Sequence, residues 1–213
     1  MTAEEAITVN AMTRPTTLLV LPLVLPFCAF VCLAEEPVIG GPCDGCELVF
    51  EDMPAQLEAR SRIAPVGEPG QPLVIEGIVR TLDGKAASDI VVYAYQTDDA
   101  GVYPDGTTRH GRLRGWALTD EKGSYRFDTI RPGAYPTRDN PQHVHMHVIE
   151  SGKGAYYLDD LIFDDDPLLT KDHRKSMQRG RGGHGLTYPE KDDRGAWHVR
   201  RDITLGKNIP DYD

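Results

Sequence analysis

A chain of 213 residues with 40% hydrophobic residues is long enough for one domain with its own core. Its formal charge of −10 sets an acidic surface against polyanions and argues against a nucleic-acid partner. A basic stretch from Lys171 to Arg201 carries nine Lys/Arg against four Asp/Glu, but Gly180, Gly182, Gly183 and Gly185 give it the character of a mobile loop, a lid or rim.

The first element is the uncharged run LLVLPLVLPFCAFVCLA, Leu18 to Ala34, preceded by Arg14 and followed by Glu35 and Glu36. A basic residue, an apolar run and a small-residue close are the order of a signal peptide. The run is short for a bilayer and is interrupted by Pro22 and Pro26, so residues 1–34 are expected to direct export to the periplasm or exterior rather than to span a membrane. Met12 is an alternative start, giving a basic leader. Lipidation of Cys32 is disfavoured by the Ala29-Phe30-Val31 lead-in.

Removal of that segment leaves Cys43 and Cys46, in GPCDGCE. A zinc site needs about four ligands and there is no second C-x-x-C. In an oxidising compartment the pair is expected to form a small disulfide that staples the N-terminal segment. A redox role lacks the surrounding βαβ pattern it would need. Residues 35–70, rich in Pro, Gly and charge, read as an extended arm with one short helical possibility from Pro54 to Arg62.

From Leu73 onward short apolar runs alternate with turns: LVIEGIVR then LDGK, DIVVYAYQT then DDAG, RGWALTD then EKG, SYRFDTI then RPG, HVHMHVI then ESGKG. Alternating apolar and polar residues, punctuated every roughly ten to fifteen residues by Gly, Asp or Pro, predict an all-β, antiparallel sandwich over residues 71–213. Asp164-Asp165-Asp166 is read as a solvated turn, because Pro167 follows and no loop of alternating oxygen ligands continues.

Three histidines at alternate positions, His143, His145 and His147, would share one face of a strand and could hold a metal together. Two phrases supply further donors: YQTDDAGVY ends in Tyr103, and TDEKGSYRFDTIRPGAYP contains Tyr135. Tyr135 lies between Gly133 and Pro136, which favours an extended residue at a strand end.

These phrases resemble those of intradiol ring-cleavage dioxygenases. The family's W-Q-x-N-x-x-G-x-Y is matched from Tyr95 to Tyr103. Its T-D-x-x-G-x-Y-x-F-x-T-I-x-P-G-x-Y-P is matched from Thr119 to Pro136, and its R-P-x-H-I-H from Asn140 to His145. The resemblance implies the family's sandwich with long loops and a non-haem iron(III) held by Tyr103, Tyr135, His143 and His145 with a hydroxide. Tyr135 and His143 would be axial; Tyr103 and His145 would lie equatorial with the hydroxide.

It also implies a reaction in which a catechol gives its protons to the hydroxide and to Tyr135, chelates as a dianion, and is split by O₂ between its two hydroxyls to a cis,cis-muconate-type diacid. Two phenolates and a hydroxide balance Fe(III) and favour that hard oxidation state. Tyr135 would thus be both ligand and base.

One residue departs from the pattern. Asn140 stands where the family usually has an active-site arginine that steadies charge on the substrate ring, leaving a hydrogen-bond donor without a cation. Arg138 and Arg112 are candidates to replace it. His147 is expected to be an outer partner or a pocket wall. The competing expectation is a transthyretin-like sandwich that binds without metal and is not catalytic.

Overall fold

The computed structural model describes residues 38–43, 45–176 and 179–213. The expected signal peptide, residues 1–34, lies outside the described residues. No helix among the described residues is long and apolar enough to cross a membrane.

A 3-10 turn, Cys46–Phe50, comes first, followed by strands β1 (Arg60–Arg62), β2 (Pro72–Arg80), β3 (Val91–Tyr95), β4 (Arg114–Leu118), β5 (Ser124–Ile130), β6 (His143–Glu150), β7 (Gly154–Tyr157) and β8 (Leu161–Phe163). A short helix, α1 (Lys171–Ser176), precedes β9 (Leu186–Thr187), β10 (Glu190–Lys191), β11 (Trp197–Arg200) and β12 (Ile203–Thr204). Each apolar run read from the sequence is a strand. The helical possibility at Pro54–Arg62 is not realised: its end is β1, pairing with β5.

The strands form two sheets, one ordered β1-β5-β2-β11-β10 with β12 also on β2, the other β4-β3-β6-β8-β9 with β7 also on β6. Period-two alternation explains how they face each other. On β2 and β5, Leu73, Ile75, Tyr125 and Phe127 are buried; on β3 and β6, Val92, Ala94, Val144, Met146 and Val148 are buried; together they form one core. The all-β sandwich expected from the sequence is therefore present.

Its sheets are mixed rather than wholly antiparallel. β1 runs parallel to β5, β11 and β12 parallel to β2, and β9 parallel to β8. Each of these parallel pairs joins strands connected through intervening chain rather than by a tight hairpin: β1 comes from the N-terminal segment, and β9, β11 and β12 from the chain that returns after β8.

If Val144, Met146 and Val148 face the core, His143, His145 and His147 must face outward from the second sheet. The pairing of β3 with β6 puts Tyr95 opposite His145 and Tyr93 opposite His147. That outer face is therefore a layer of aromatic and imidazole rings. Residues before β1 cover part of it: Val49 is fully buried against Tyr93 and Trp116, and the Trp116 Nε1–H donates to the Val49 carbonyl at 2.7 Å.

Candidate metal centre

Tyr103 lies on the β3–β4 connection and Tyr135 on the β5–β6 connection, and two glycines let these loops touch. Gly101 has φ +80°, and a Cβ there would lie 1.8 Å from the Ala134 carbonyl oxygen; a Cβ on Gly133 would lie 2.5 Å from the Asp99 carbonyl oxygen. Polar side chains lock the contact. Thr97 Oγ1 donates to the Gly133 carbonyl at 2.8 Å, the Gly133 N–H to the Asp98 carbonyl at 2.7 Å, and Asp98 Oδ1 accepts the Ala100 and Val102 N–H groups at 3.0 Å. Below them, buried Gln96 bonds the Ile130 carbonyl and the Thr129 hydroxyl.

The result brings the four expected ligands together around one oxygen. Tyr135 Oη is 2.7 Å from Tyr103 Oη, 3.2 Å from His143 Nε2 and 3.4 Å from His145 Nε2. Each imidazole is oriented by its other nitrogen. His143 Nδ1 is 2.7 Å from the Pro141 carbonyl, an obligate acceptor, so Nδ1 carries the proton and Nε2 offers its lone pair inward. His145 Nδ1 is 2.9 Å from Asp160 Oδ1, which fixes the same tautomer. The start of β6 is itself held by Asp166 Oδ2, which accepts the Gln142 N–H at 2.7 Å. Asp166 is thus buried and structural, where the sequence suggested a solvated turn; Asp165 pairs with Arg131.

The donor set fits a highly charged cation. Burial, its hydrogen bond to Tyr135, and the negative charge of Tyr135, Tyr95 and Asp160 all push the Tyr103 phenol above its ordinary range. Burial also raises Tyr135, the hydrogen bond from Tyr103 acts downward, and Asp160 pushes further up. By themselves these phenols stay protonated at neutral pH; a trivalent cation would reverse the balance, because it stabilises phenolate directly. Burial alone would raise the Asp160 carboxyl, but His145 first, then His143 and His147, outweigh it and hold the group below the usual carboxylate range. Asp160 touches the nitrogen of His145 that faces away from the centre, so its part is to orient and to polarise that ring.

Asn140 is exposed, and among the described residues it has no hydrogen bond to this cluster. Of the arginines considered in its place, Arg112 is engaged elsewhere, its guanidinium making paired bonds of 2.7 and 2.8 Å to Glu68. Arg138 is near, its guanidinium carbon 5.6 Å from the centroid of the Tyr135 ring. In the basic segment Arg181 and Arg201 are buried against backbone carbonyls, leaving Arg179 to reach a cavity of about 490 Å³ beside His145 and Asp160. Tyr95 also lines that cavity and stacks on both His145 and His110, with centroids 4.6 and 3.8 Å apart.

Asp160 and Tyr95 are site residues that the sequence motifs did not assign. Tyr95 heads the phrase matched from Tyr95 to Tyr103, but only the pairing of β3 with β6 sets it opposite His145; Asp160, beyond the last motif, carried no local signal.

The buried imidazoles make acid stability a test of this arrangement. Desolvation lowers His143 below its usual 6.5, His110 to about 4 and His147 to about 3. In the unfolded chain all three gain protons near pH 6.5, while the folded chain refuses them. The unfolded state therefore binds more protons, and stability is lost as pH falls below that value, by up to about 1.4 kcal/mol per pH unit for each of His110 and His147, with His143 acting in the same direction. Denaturant midpoints of metal-free protein should fall from pH 7 to pH 5; a flat or rising profile contradicts neutral, buried rings.

Comparison with known proteins places this geometry in context. Residues 51–196 match a family model described as "Dioxygenase". The protocatechuate 3,4-dioxygenase beta chain of Burkholderia cepacia is 33% identical over 119 residues, 50% of this chain and 51% of the relative. The hydroxyquinol 1,2-dioxygenase of Nocardioides simplex is 28% identical over 201 residues, 81% of this chain and 64% of the relative.

Among solved structures, the dioxygenase domain of a dioxygenase carbohydrate-binding protein fusion from Streptomyces sp. SirexAA-E superposes with a TM-score of 0.55 at 22% identity, over 80% of this chain and 98% of that one. Catechol 1,2-dioxygenase from Acinetobacter sp. ADP1 gives 0.57 at 20% identity, over 72% and 59%. These likenesses are of fold. The chain spans 51% and 64% of the length of these two curated relatives.

Proposed function

This chain belongs to the intradiol ring-cleavage dioxygenase family, and from that premise we propose that it cleaves a catecholic ring between its two hydroxyls with O₂, giving a cis,cis-muconate-type diacid. The observation that carries the reading is the convergence on Tyr135 Oη of Tyr103 Oη, His143 Nε2 and His145 Nε2, all at 3.4 Å or less. A metal-free binding module has no use for two half-buried phenols that meet where two imidazole lone pairs point.

Tyr103, Tyr135, His143 and His145 are the residues that would hold a non-haem iron(III). That ion, when bound, would supply the Lewis acidity and the electron-accepting orbital that open the ring of a catecholate to O₂. The chain's own groups do the rest. Tyr135 Oη sits at the hub of the donor set and, held as phenolate by the bound cation, would be placed to accept a proton from a substrate hydroxyl. His143 and His145 stay fixed through Pro141 and Asp160, so the site need not reorganise when a proton moves.

The cavity of about 490 Å³ beside His145 is large enough for a single substituted ring, with Tyr95 as an aromatic wall and Arg179 as its cation. Arg138 beside Tyr135, rather than Asn140, is the positive group nearest the reacting end. Export after removal of residues 1–34 is part of the same proposal, as is a catalytic unit beginning near residue 71.

The test is product analysis. Iron-loaded protein is mixed with a panel of catechols under ¹⁸O₂. The reading expects ring-opened diacids carrying two labelled oxygens per molecule. Ring-opened semialdehydes, or no ring-opened product across the panel, would contradict it.

A further inference from the structure

Cys43 and Cys46 form a disulfide, the staple expected from the sequence, and the fold adds a third residue to them. His147 projects from the outer face of β6 with its Nε2 3.9 Å from Cys43 Sγ, and the ligand atoms of all three residues lie within 4.8 Å of one another. We propose that, when the disulfide is reduced, Cys43, Cys46 and His147 form a thiolate–imidazole site for a zinc-type cation, separate from the tyrosine–histidine centre and sharing no ligand with it.

His147 is the first argument. The residue is only 4% exposed, its Nδ1 has no hydrogen-bond partner among the described residues, and Nε2 has a sulfur at 3.9 Å as its polar contact. A buried imidazole without a full hydrogen bond on either nitrogen is unusual and asks for a reason. A cation bound between the sulfurs and Nε2 would satisfy the nitrogen that faces Cys43.

Geometry is the second. C-x-x-C is the spacing of a zinc knuckle, and the Cα atoms are 5.5 Å apart. Zn–S and Zn–N bonds of about 2.3 and 2.0 Å at tetrahedral angles require S···S near 3.8 Å and S···N near 3.6 Å. Reduction frees the two sulfurs to rotate apart to that separation, and the Nε2–Cys43 Sγ distance of 3.9 Å need then shorten only by about 0.3 Å. The backbone around the pair does not depend on the S–S bond. Gly45 takes φ +97° and lies so close to His110 Nε2 that a Cβ would be 2.7 Å from it, the Val49 carbonyl is held by Trp116, and the Gly40 carbonyl by Arg181 at 3.0 Å. The disulfide closes a loop of only three residues' separation, so its loss releases little chain entropy.

The third argument is access. Cys43 and His147 both line the cavity beside His145, so the fourth coordination position opens to water or a small ligand there. Redox state would gate the site. A dithiol donates two electrons and two protons to the S–S bond and becomes a disulfide itself; a divalent cation then displaces the two thiol protons.

The experiment uses the full chain carrying Cys28→Ser and Cys32→Ser, so that Cys43 and Cys46 are the remaining cysteines of four. The protein is reduced anaerobically with a phosphine, which is oxidised to its oxide, and titrated with cobalt(II). The expected result is one cobalt per chain with thiolate-to-cobalt charge-transfer absorption, absent before reduction and absent in Cys46→Ser. Cobalt at the tyrosine–histidine centre gives no thiolate band, so failure here leaves the proposed dioxygenase reading intact. His147→Gln should weaken binding at least about 10-fold. If that variant does not fold, a paramagnetically shifted imidazole resonance in the cobalt protein reports the same contact. No thiolate band after reduction, or unchanged cobalt affinity in folded His147→Gln, or no shifted imidazole resonance, overturns the proposal.

Discussion

Iron-loaded Tyr135→Phe is expected to cleave catechol roughly 10³-fold more slowly than the unaltered protein, or worse, within the range spanned by loss of a general base. The substitution removes one oxygen and leaves the ring. That ring makes an edge contact with His143, centroids 5.0 Å apart, and underlies the Arg138 guanidinium, so packing is retained. What disappears is the atom that meets Tyr103 Oη at 2.7 Å and both imidazoles within 3.4 Å. Single-turnover kinetics on protein with an unchanged circular dichroism spectrum checks it. Retention of more than about a tenth of the rate, against the 10²-fold minimum expected for a lost base, would remove Tyr135 from the chemistry.

Asp160→Asn should act in two opposite directions. The amide oxygen can still accept the His145 Nδ1–H, so the ring stays in place, but the carboxylate charge that makes the imidazole a better donor is gone. Iron affinity should fall by about 10- to 100-fold, the usual cost of an outer partner. In metal-free protein the same change should let the two half-buried phenols ionise more readily, because the Asp160 charge is one of the influences raising both Tyr103 and Tyr135. Iron competition with a chelator measures the first effect; ultraviolet phenol titration measures the second. A variant that binds iron as tightly as the parent and titrates identically would show that the 2.9 Å contact is incidental.

The parts of this molecule that could be read from sequence are those fixed by short-range rules. Alternation on β6 placed His143, His145 and His147 on one face, and Gly133 and Pro136 marked Tyr135 as an extended residue at a strand end. The rest depends on pairings between distant segments. Nothing near Asp160 indicates that it will meet His145; the meeting follows from the turn between β7 and β8 folding back alongside β6. The parallel pairings of β11 and β12 with β2 are likewise set by where the long chain after β8 returns, which no local pattern records. Asp166 looked like part of a solvated run because its partner, the Gln142 N–H, is 24 positions away. The same non-local folding put His147 beside Cys43, turning a two-cysteine motif into a three-ligand cluster.

Binding of one ferric ion by two phenols and two imidazoles can be decided by titrating metal-free protein with iron(III), followed in the visible. The account predicts a tyrosinate-to-iron charge-transfer band that grows to one equivalent per chain and then stops, and that is lost or markedly shifted in Tyr103→Phe. A protein that stays colourless through excess iron, or whose colour is indifferent to both tyrosines, contradicts it.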